Sequence, residues 1–193
     1  RVICGSLTDP RIAALIPGAS FVYTDPPWNA RVYNQFYKYA GMTTRDSFDD
    51  FLRKLAKLLC DKSNGILFLE MGLQNTHKIQ EYLEGCGYMH FATYTCSYGK
   101  PPRPYNLLSG AFRNTIAQRY DLDGRYGEDI PYLLSEIYKE KGGVFLDPCA
   151  GKLDFLKHFV GTGYCVGVEL IPEKLSMGLA KFATMGLEIK RIK

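Results

Sequence analysis

Residues 25 to 28 read Asp25-Pro26-Pro27-Trp28, directly after the apolar run Phe21-Val22-Tyr23. A carboxylate, two prolines and an aromatic ring at a strand end suit one task, the holding of a planar exocyclic amino group. The lone pair of an aryl amine is spread into its ring, so the nitrogen is a poor nucleophile. Asp25 can accept one N–H hydrogen bond and the Pro26 carbonyl a second, which together localise the lone pair and orient it. Proline fixes φ and lacks an N–H, so Pro26 and Pro27 make the turn stiff. Trp28 offers a face on which an unstacked base can lie. The same four residues also read as a Pro-rich turn closing a strand, so the choice rests on what accompanies them.

A second segment with chemistry is 144 to 169. Val-Phe-Leu runs into Asp147-Pro148-Cys149-Ala150-Gly151, with Asp147 at the strand end and Gly151 opening the next element. The following apolar run ends on Glu169-Leu170, 22 residues after Asp147. Nucleotide-binding folds place a ribose-binding carboxylate at about a 20-residue offset. Gly151 lets the backbone approach a ligand closely. There is no full Gly-x-Gly-x-x-Gly, which argues against a dinucleotide pyrophosphate and for a nucleoside-like ligand without phosphates. As isolated residues, Asp147 and Glu169 would equally serve as helix caps; their coincidence with the Asp25 turn favours the ligand reading.

The elements that must position these residues alternate. Residues 1 to 4, 20 to 24, 65 to 70, 88 to 97, 114 to 120, 143 to 146 and 164 to 169 read as strands, and Leu187, Ile189 and Ile192 suit a last one. Helices are expected near residues 9 to 15, from Ser47, from Asn75, and at 131 to 140, 153 to 160 and 173 to 184. Ser47 and Asp50 make an approximate capping box. Phe48, Phe51, Leu52, Leu55, Leu58 and Leu59 then fall on one helical face. Asn75 is placed to cap a helix carrying Ile79, Tyr82 and Leu83, ended by Gly85 and Gly87. Strands separated by helices predict a parallel sheet covered on both faces.

At 193 residues the chain suits one domain with a substantial core. A hydrophobic content of 46% with 23% charged residues is that of an ordinary globular protein, and no apolar stretch approaches a membrane span. The six cysteines are scattered without a Cys-x-x-Cys pair, and the three histidines have no metal-ligand spacing. The expectation is therefore reduced thiols, an intracellular protein and no metal. A net charge of +4 permits a polyanionic partner without requiring one.

Taken together, the motifs resemble those of the S-adenosylmethionine-dependent amino-methyltransferases of nucleic acids. Ile3-Cys4-Gly5-Ser6-Leu7, an apolar strand and then Thr24-Asp25-Pro26-Pro27-Trp28-Asn29 match the family's opening. Asp147 to Gly151 resembles its cofactor loop, Glu169 its ribose acid, and Thr95 to Lys100 a strand ending in a lysine near the substrate. The order, with the catalytic turn first and the cofactor loop last, is similar to the permuted beta group. The resemblance covers nearly the whole chain. It implies a doubly wound, mostly parallel seven-stranded α/β sheet, a Rossmann-like methyltransferase fold with circularly permuted order. It also implies methyl transfer from S-adenosyl-L-methionine to the adenine 6-amino group, leaving S-adenosyl-L-homocysteine. Asp25, Pro26, Pro27 and Trp28 would be catalytic. Ser6, Leu7, Asp25, Asp147, Pro148, Cys149, Ala150, Gly151, Glu169 and Leu170 would hold the cofactor. The cytosine 4-amino group is the alternative target, although serine is commoner there at the Asp25 position. Methylation of a protein or small-molecule amide, and a non-catalytic binding subunit, are the further alternatives. Asp-Pro-Pro-Trp also occurs in messenger-RNA adenosine methyltransferases, so the motif leaves DNA and RNA open and the location cytoplasmic or nuclear.

Three positions depart from the family pattern. Ser6 stands for a frequent Asp, Leu153 for a second loop glycine, and Ile130-Pro131 for Lys-Pro. A larger departure is the lack of room for a target-recognition region, which predicts one catalytic domain over 1–193. Nucleic-acid contacts are then expected from two basic-aromatic loops. Residues 29 to 45 hold Asn29, Arg31, Tyr33, Phe36, Tyr37, Lys38, Tyr39 and Arg45. Residues 98 to 113 hold Tyr98, Lys100, Arg103, Tyr105 and Arg113. Of these, Asn29, Arg31, Tyr33, Lys38, Lys100 and Arg103 are the candidate substrate contacts. A recognition subunit or a second copy of the chain is the expected additional partner.

Overall fold

The structure, a computed structural model, describes residues 1–42, 46–113, 115–161, 163–187 and 189–192. Its centre is one eight-stranded sheet: β1 (Val2–Cys4), β2 (Ala19–Thr24), β3 (Ser63–Met71), β4 (Met89–Tyr98), β5 (Arg103–Ala111), β6 (Val144–Asp147), β7 (Tyr164–Glu169) and β8 (Arg191–Ile192). The order across the sheet is β4-β5-β3-β2-β6-β7-β1-β8. Only β5 runs against its neighbours, pairing antiparallel with both β3 and β4. The sheet is single and mostly parallel as expected, with β5 in place of the strand expected at 114 to 120, and β8 adds a parallel edge pair to β1 where the last strand was anticipated.

Side-chain alternation divides the core. Val22, Leu67, Leu69, Leu146 and Val168 point to one face, under α1 (Pro10–Leu15), α2 (Ala30–Tyr39), α3 (Phe48–Lys62) and α4 (Thr76–Gly85). Phe21, Tyr23, Phe68 and Phe145 point to the other, under α5 (Ile130–Lys141) and α6 (Pro172–Thr184). The Ser47 cap forms as expected, its hydroxyl accepting from the Asp50 N–H at 3.1 Å. Behind it α3 buries Phe51, Leu52, Leu55, Ala56, Leu58 and Leu59. Burying each of the leucines or the phenylalanine stabilises the fold by about 1.5–3 kcal/mol. No helix of the described residues is long and apolar enough to cross a membrane.

Several sequence expectations are corrected. Residues 29 to 45 are not a loop: α2 fills most of the segment, with the Asn29 side chain accepting from the Val32 N–H at 3.0 Å. Arg45 lies outside the described residues. The strand expected at 114 to 120 is instead β5, which ends before that segment begins, and residues 115 to 120 carry no regular structure. Residues 98 to 113, expected as a loop, turn only at 99 to 102, and Tyr105 to Ala111 are almost all buried in β5. The helix expected at 153 to 160 shrinks to a 3-10 turn at Leu156–His158. Asn75 forms no cap; its side chain is used elsewhere, as described below.

β2 and β3 carry the catalytic-type turn, and their contact has one steric restriction. Pairing shifts register at Ser20, and a Cβ added to Gly65 would lie 2.0 Å from the Ser20 carbonyl oxygen. The obstacle is backbone, which cannot swing aside. Gly65→Ala should therefore force the two strands apart, at an overpacking cost of about 1–3 kcal/mol. Thermal and urea unfolding should both show the loss; an unchanged melting temperature would contradict this close approach.

Candidate active site

The carboxyl ends of β1, β2, β6 and β7 border one cleft, at the place where the chain's crossovers change direction; open parallel sheets bind ligands there. Its wall includes Gly5, Ser6 and Leu7 after β1, Asp25 and Pro27 after β2, Pro148, Cys149 and Gly151 after β6, and Glu169 and Leu170 ending β7. Eight of the ten residues expected to hold a cofactor thus face a single space: Ser6, Leu7, Asp25, Pro148, Cys149, Gly151, Glu169 and Leu170. Asp147 and Ala150 are buried just behind it.

Glu169 organises the cofactor-type loop. One oxygen accepts the Gly151 N–H at 2.7 Å and the other the Ile171 N–H at 2.8 Å. Each oxygen keeps a second lone pair for a ligand hydroxyl. Burial pushes the Glu169 carboxyl up, while the amides of Ile171 and Gly151 and the charge of Lys174 pull the other way. Asp147 accepts the Cys149 N–H at 3.1 Å, and burial likewise raises its pKa. Gly151 sits at φ +53°, a left-handed conformation that glycine adopts without strain. Leu153 sits at φ +60°, the sole non-glycine residue with positive φ among those described. That geometry explains a glycine preference at this position. For leucine the conformation costs about 1–2 kcal/mol. Close packing offsets it: Leu153 is fully buried, and a Cβ on Gly178 of α6 would lie 2.6 Å from its Cγ.

The Asp25 turn is braced from three sides. The Trp28 indole Nε1–H donates to Asp25 Oδ1 at 2.7 Å. Asn75 Nδ2 donates to the Trp28 carbonyl at 2.7 Å. The Trp28 ring packs against Tyr98 and Tyr105, with centroids at 6.1 and 5.4 Å. Trp28 thus orients the carboxylate in addition to offering a ring surface. Solvent reaches Asp25 through the open cleft, yet the surrounding protein pushes its carboxyl up to about 6; the Trp28 bond and the Lys174 charge moderate the shift.

The substrate-type residues divide. Arg31, Lys38, Lys100 and Arg103 are exposed, and Asn29 caps α2. Tyr33 is buried against Tyr37, Phe48 and Phe51 and belongs to the cleft wall rather than to a surface loop. Tyr105, expected on a loop, is fully buried. Lys174 was not singled out from the sequence. It is the cation among the described residues lining the cleft, its ammonium 3.8 Å from the Phe36 ring centroid. Its position in the first turn after Glu169 is the signal that could have found it. Ile130, where a lysine was the family norm, is fully buried and apolar.

The Asp25 shift has a consequence for stability. Because the folded state holds this proton more tightly than the unfolded chain does, ionisation weakens the fold as pH rises from about 4 to about 6. Asp25→Asn should melt higher than the native chain at about pH 8, and the difference should vanish by about pH 4. Melting curves across that range check it; a variant less stable at pH 8 would show that the carboxylate is not strained by its surroundings.

No protein-family model matches the chain, and a search of curated proteins finds no match. Solved structures do resemble it. TTHA0409 of Thermus thermophilus, a candidate DNA modification methylase solved with S-adenosyl-L-methionine, superposes with a TM-score of 0.69 at 17% identity, over 100% of this chain and 99% of that one. The M1.HpyAVI–SAM complex gives 0.67 at 12% identity, over 94% and 98% of the two chains. The cytosine-N4-specific PvuII DNA methyltransferase gives 0.64 at 10% identity, over 94% and 85%. At these identities the likeness establishes the fold: this chain has the α/β architecture of those DNA methyltransferases from end to end.

Proposed function

We propose that this chain transfers a methyl group from S-adenosylmethionine to the exocyclic 6-amino group of adenine in nucleic acid, DNA being favoured. The observation that carries the reading is the convergence of Asp25 and Glu169 on one cleft at the sheet's carboxyl edge, with Asp25 held in orientation by the Trp28 indole. The fold neighbours, all named for DNA methylation or DNA methyltransferase activity or solved with the methyl donor, support it.

The cleft suits the donor chemically. Glu169 has lone pairs to spare for the two ribose hydroxyls, and the Gly151 turn leaves room for a close backbone approach. Among the described lining residues two acids, Asp25 and Glu169, face one lysine, Lys174, which favours a ligand carrying positive charge. Bound there, S-adenosylmethionine supplies an electrophilic methyl group on a sulfonium. The chain's own part is orientation. Asp25 Oδ1 is engaged by Trp28, leaving Oδ2 to accept a proton of the target amine. The Pro26 carbonyl is the second acceptor in this reading. Localising the lone pair in this way makes the nitrogen a better nucleophile, and the extra proton leaves after transfer, with the Asp25 carboxylate beside it. Cytosine presents the same amine geometry, and PvuII shows that this architecture serves it too; the aspartate in place of serine favours adenine.

Incubation with mixed DNA and RNA, followed by mass analysis of nucleosides, tests the reaction. N6-methyladenine is the expected product. Asp25→Ala should lose on the order of 10²-fold or more in turnover, since a bond that orients the transition state disappears. For the native chain, kcat/KM should fall below about pH 6, where Asp25 takes up its proton and can no longer accept. N4-methylcytosine as sole product would move the target, and full turnover by Asp25→Ala would end the mechanism.

Sequence is read by side chains that reach base edges, and this chain offers few. The exposed basic groups expected to meet a nucleic acid are Arg31 and Lys38 on α2 and Lys100 and Arg103 at the β4–β5 turn. In our reading they contact phosphates, so binding should weaken steeply with salt. Methylation should be loose in sequence context or depend on a partner subunit. Mapping on random-sequence DNA and RNA checks this; one strict motif of four or more bases, methylated by the chain alone, would refute it.

A further inference from the structure

The register of β2 against β3 places Thr24 opposite Leu69, so the next residues, Asp25 and Glu70, are neighbours across the strand ends. Glu70 is fully buried, an acid in a wall of aromatic rings that nothing in the reaction above uses. Its Oε2 accepts the Tyr98 O–H at 2.7 Å, and its Oε1 is buried without a hydrogen-bond partner. Tyr98 is held by further neighbours. Its ring stacks on Tyr105 at 4.7 Å and on Trp28, and a Cβ on Gly127 would fall 1.9 Å from it. Trp28 in turn donates to Asp25. A continuous chain of contacts therefore runs from Glu70 through Tyr98 and Trp28 to Asp25.

We infer that Glu70 is a positioning residue for the catalytic turn: by anchoring the Tyr98 hydroxyl it sets the ring against which Trp28 packs, and so the direction in which Trp28 holds the Asp25 carboxylate. This rests on the methyl-transfer reading only for its effect on turnover; the effect on Trp28 is independent of any reaction. The surroundings of Glu70 favour its neutral form. Burial, and then the negative charge of Asp25, push it well above the usual carboxylate range, against the pull of the hydroxyls of Tyr98, Tyr23 and Tyr105. The titratable groups around it are Tyr98 and Cys96 from β4, Tyr105 from β5, Tyr23 from β2 and Asp25 from the turn. An ionised Glu70 would place two negative charges side by side and disturb Asp25. A neutral one leaves Asp25 as the ionised member of the pair.

Trp28 is the chain's one tryptophan, so its indole N–H resonance and its emission report this chain of contacts without ambiguity. Both should be followed in Glu70→Ala, Glu70→Gln and Tyr98→Phe, together with kcat and the cofactor KM. Ala should shift the Trp28 signals and lower kcat on the order of 10²-fold, the cost of a slightly misplaced catalytic group, with little change in cofactor KM. Tyr98→Phe removes a single oxygen atom and should move the Trp28 signals in the same direction, which keeps the test open should the Ala variant not fold. Gln, neutral and isosteric, should restore most of the loss. In the native chain the Trp28 signals should change again as rising pH ionises Glu70, and in the Gln variant that change should be absent. Trp28 signals that stay native in Tyr98→Phe, or a folded Gln variant as defective as Ala, would overturn the inference. A native chain that methylates nothing, but whose Trp28 signals follow this order, would count against the methyl-transfer reading and for the positioning.

Discussion

One carboxylate holds the site's architecture together. Glu169 ends β7, and its two oxygens take the backbone amides of Gly151 and Ile171, so the loop after β6 and the start of α6 are both tied to the end of a central strand. The Glu169 carbonyl also accepts the Gly5 N–H at 2.9 Å, which ties in the segment after β1. The segments after β1, β6 and β7 therefore converge on one residue. Leaving amides unpaired in a buried loop would cost about 1–3 kcal/mol each. The acid is expensive to bury, and the bonds it accepts are what offset that cost. Its lone pairs remain available on the cleft side, so the same group can be scaffold and ligand acceptor.

The other half of the site is built differently. Asp25 is not held by backbone amides but by the edge of an aromatic ring, which is itself wedged among Tyr98, Tyr105 and Gly72. Backbone-held and ring-held acids have different consequences. Glu169 moves only if the sheet moves. Asp25 depends on packing between side chains from β4, β5 and the turn, and small displacements there translate into the direction of its carboxylate. The cleft thus combines a rigid side at Glu169 with a more adjustable side at Asp25.

The strain at Leu153 fits the same picture. A left-handed leucine in the loop after β6 is unfavourable in itself. It persists because α6 leaves a glycine-sized gap at Gly178 for its side chain. The loop's shape is therefore set jointly by the loop and by a helix further along the chain, and a substitution at either place would be felt at Gly151.

The sequence by itself determined the alternation of strands and helices, the place of the two acid-bearing turns, and most of the residues that line the cleft after β1, β6 and β7, since each depends on local periodicity or on motifs that sit directly after strands. It did not determine α2, because tyrosines at 33 and 37 read equally as exposed stacking residues until α3 is seen to bury them. Nor did it determine β5: two prolines at its start argue for a loop, and they are tolerated because Pro102 and Pro104 lie at or just before the strand's first residues, beside the β4–β5 turn. Asn75 looked like a helix cap and instead holds the Trp28 carbonyl, 47 positions away. Glu70 became visible only when β3 was laid beside the Asp25 turn. The physical reason is common to all of them: periodicity reports which side of an element is buried, but which distant group meets a polar side chain is decided when the sheet brings strands from far parts of the chain into register.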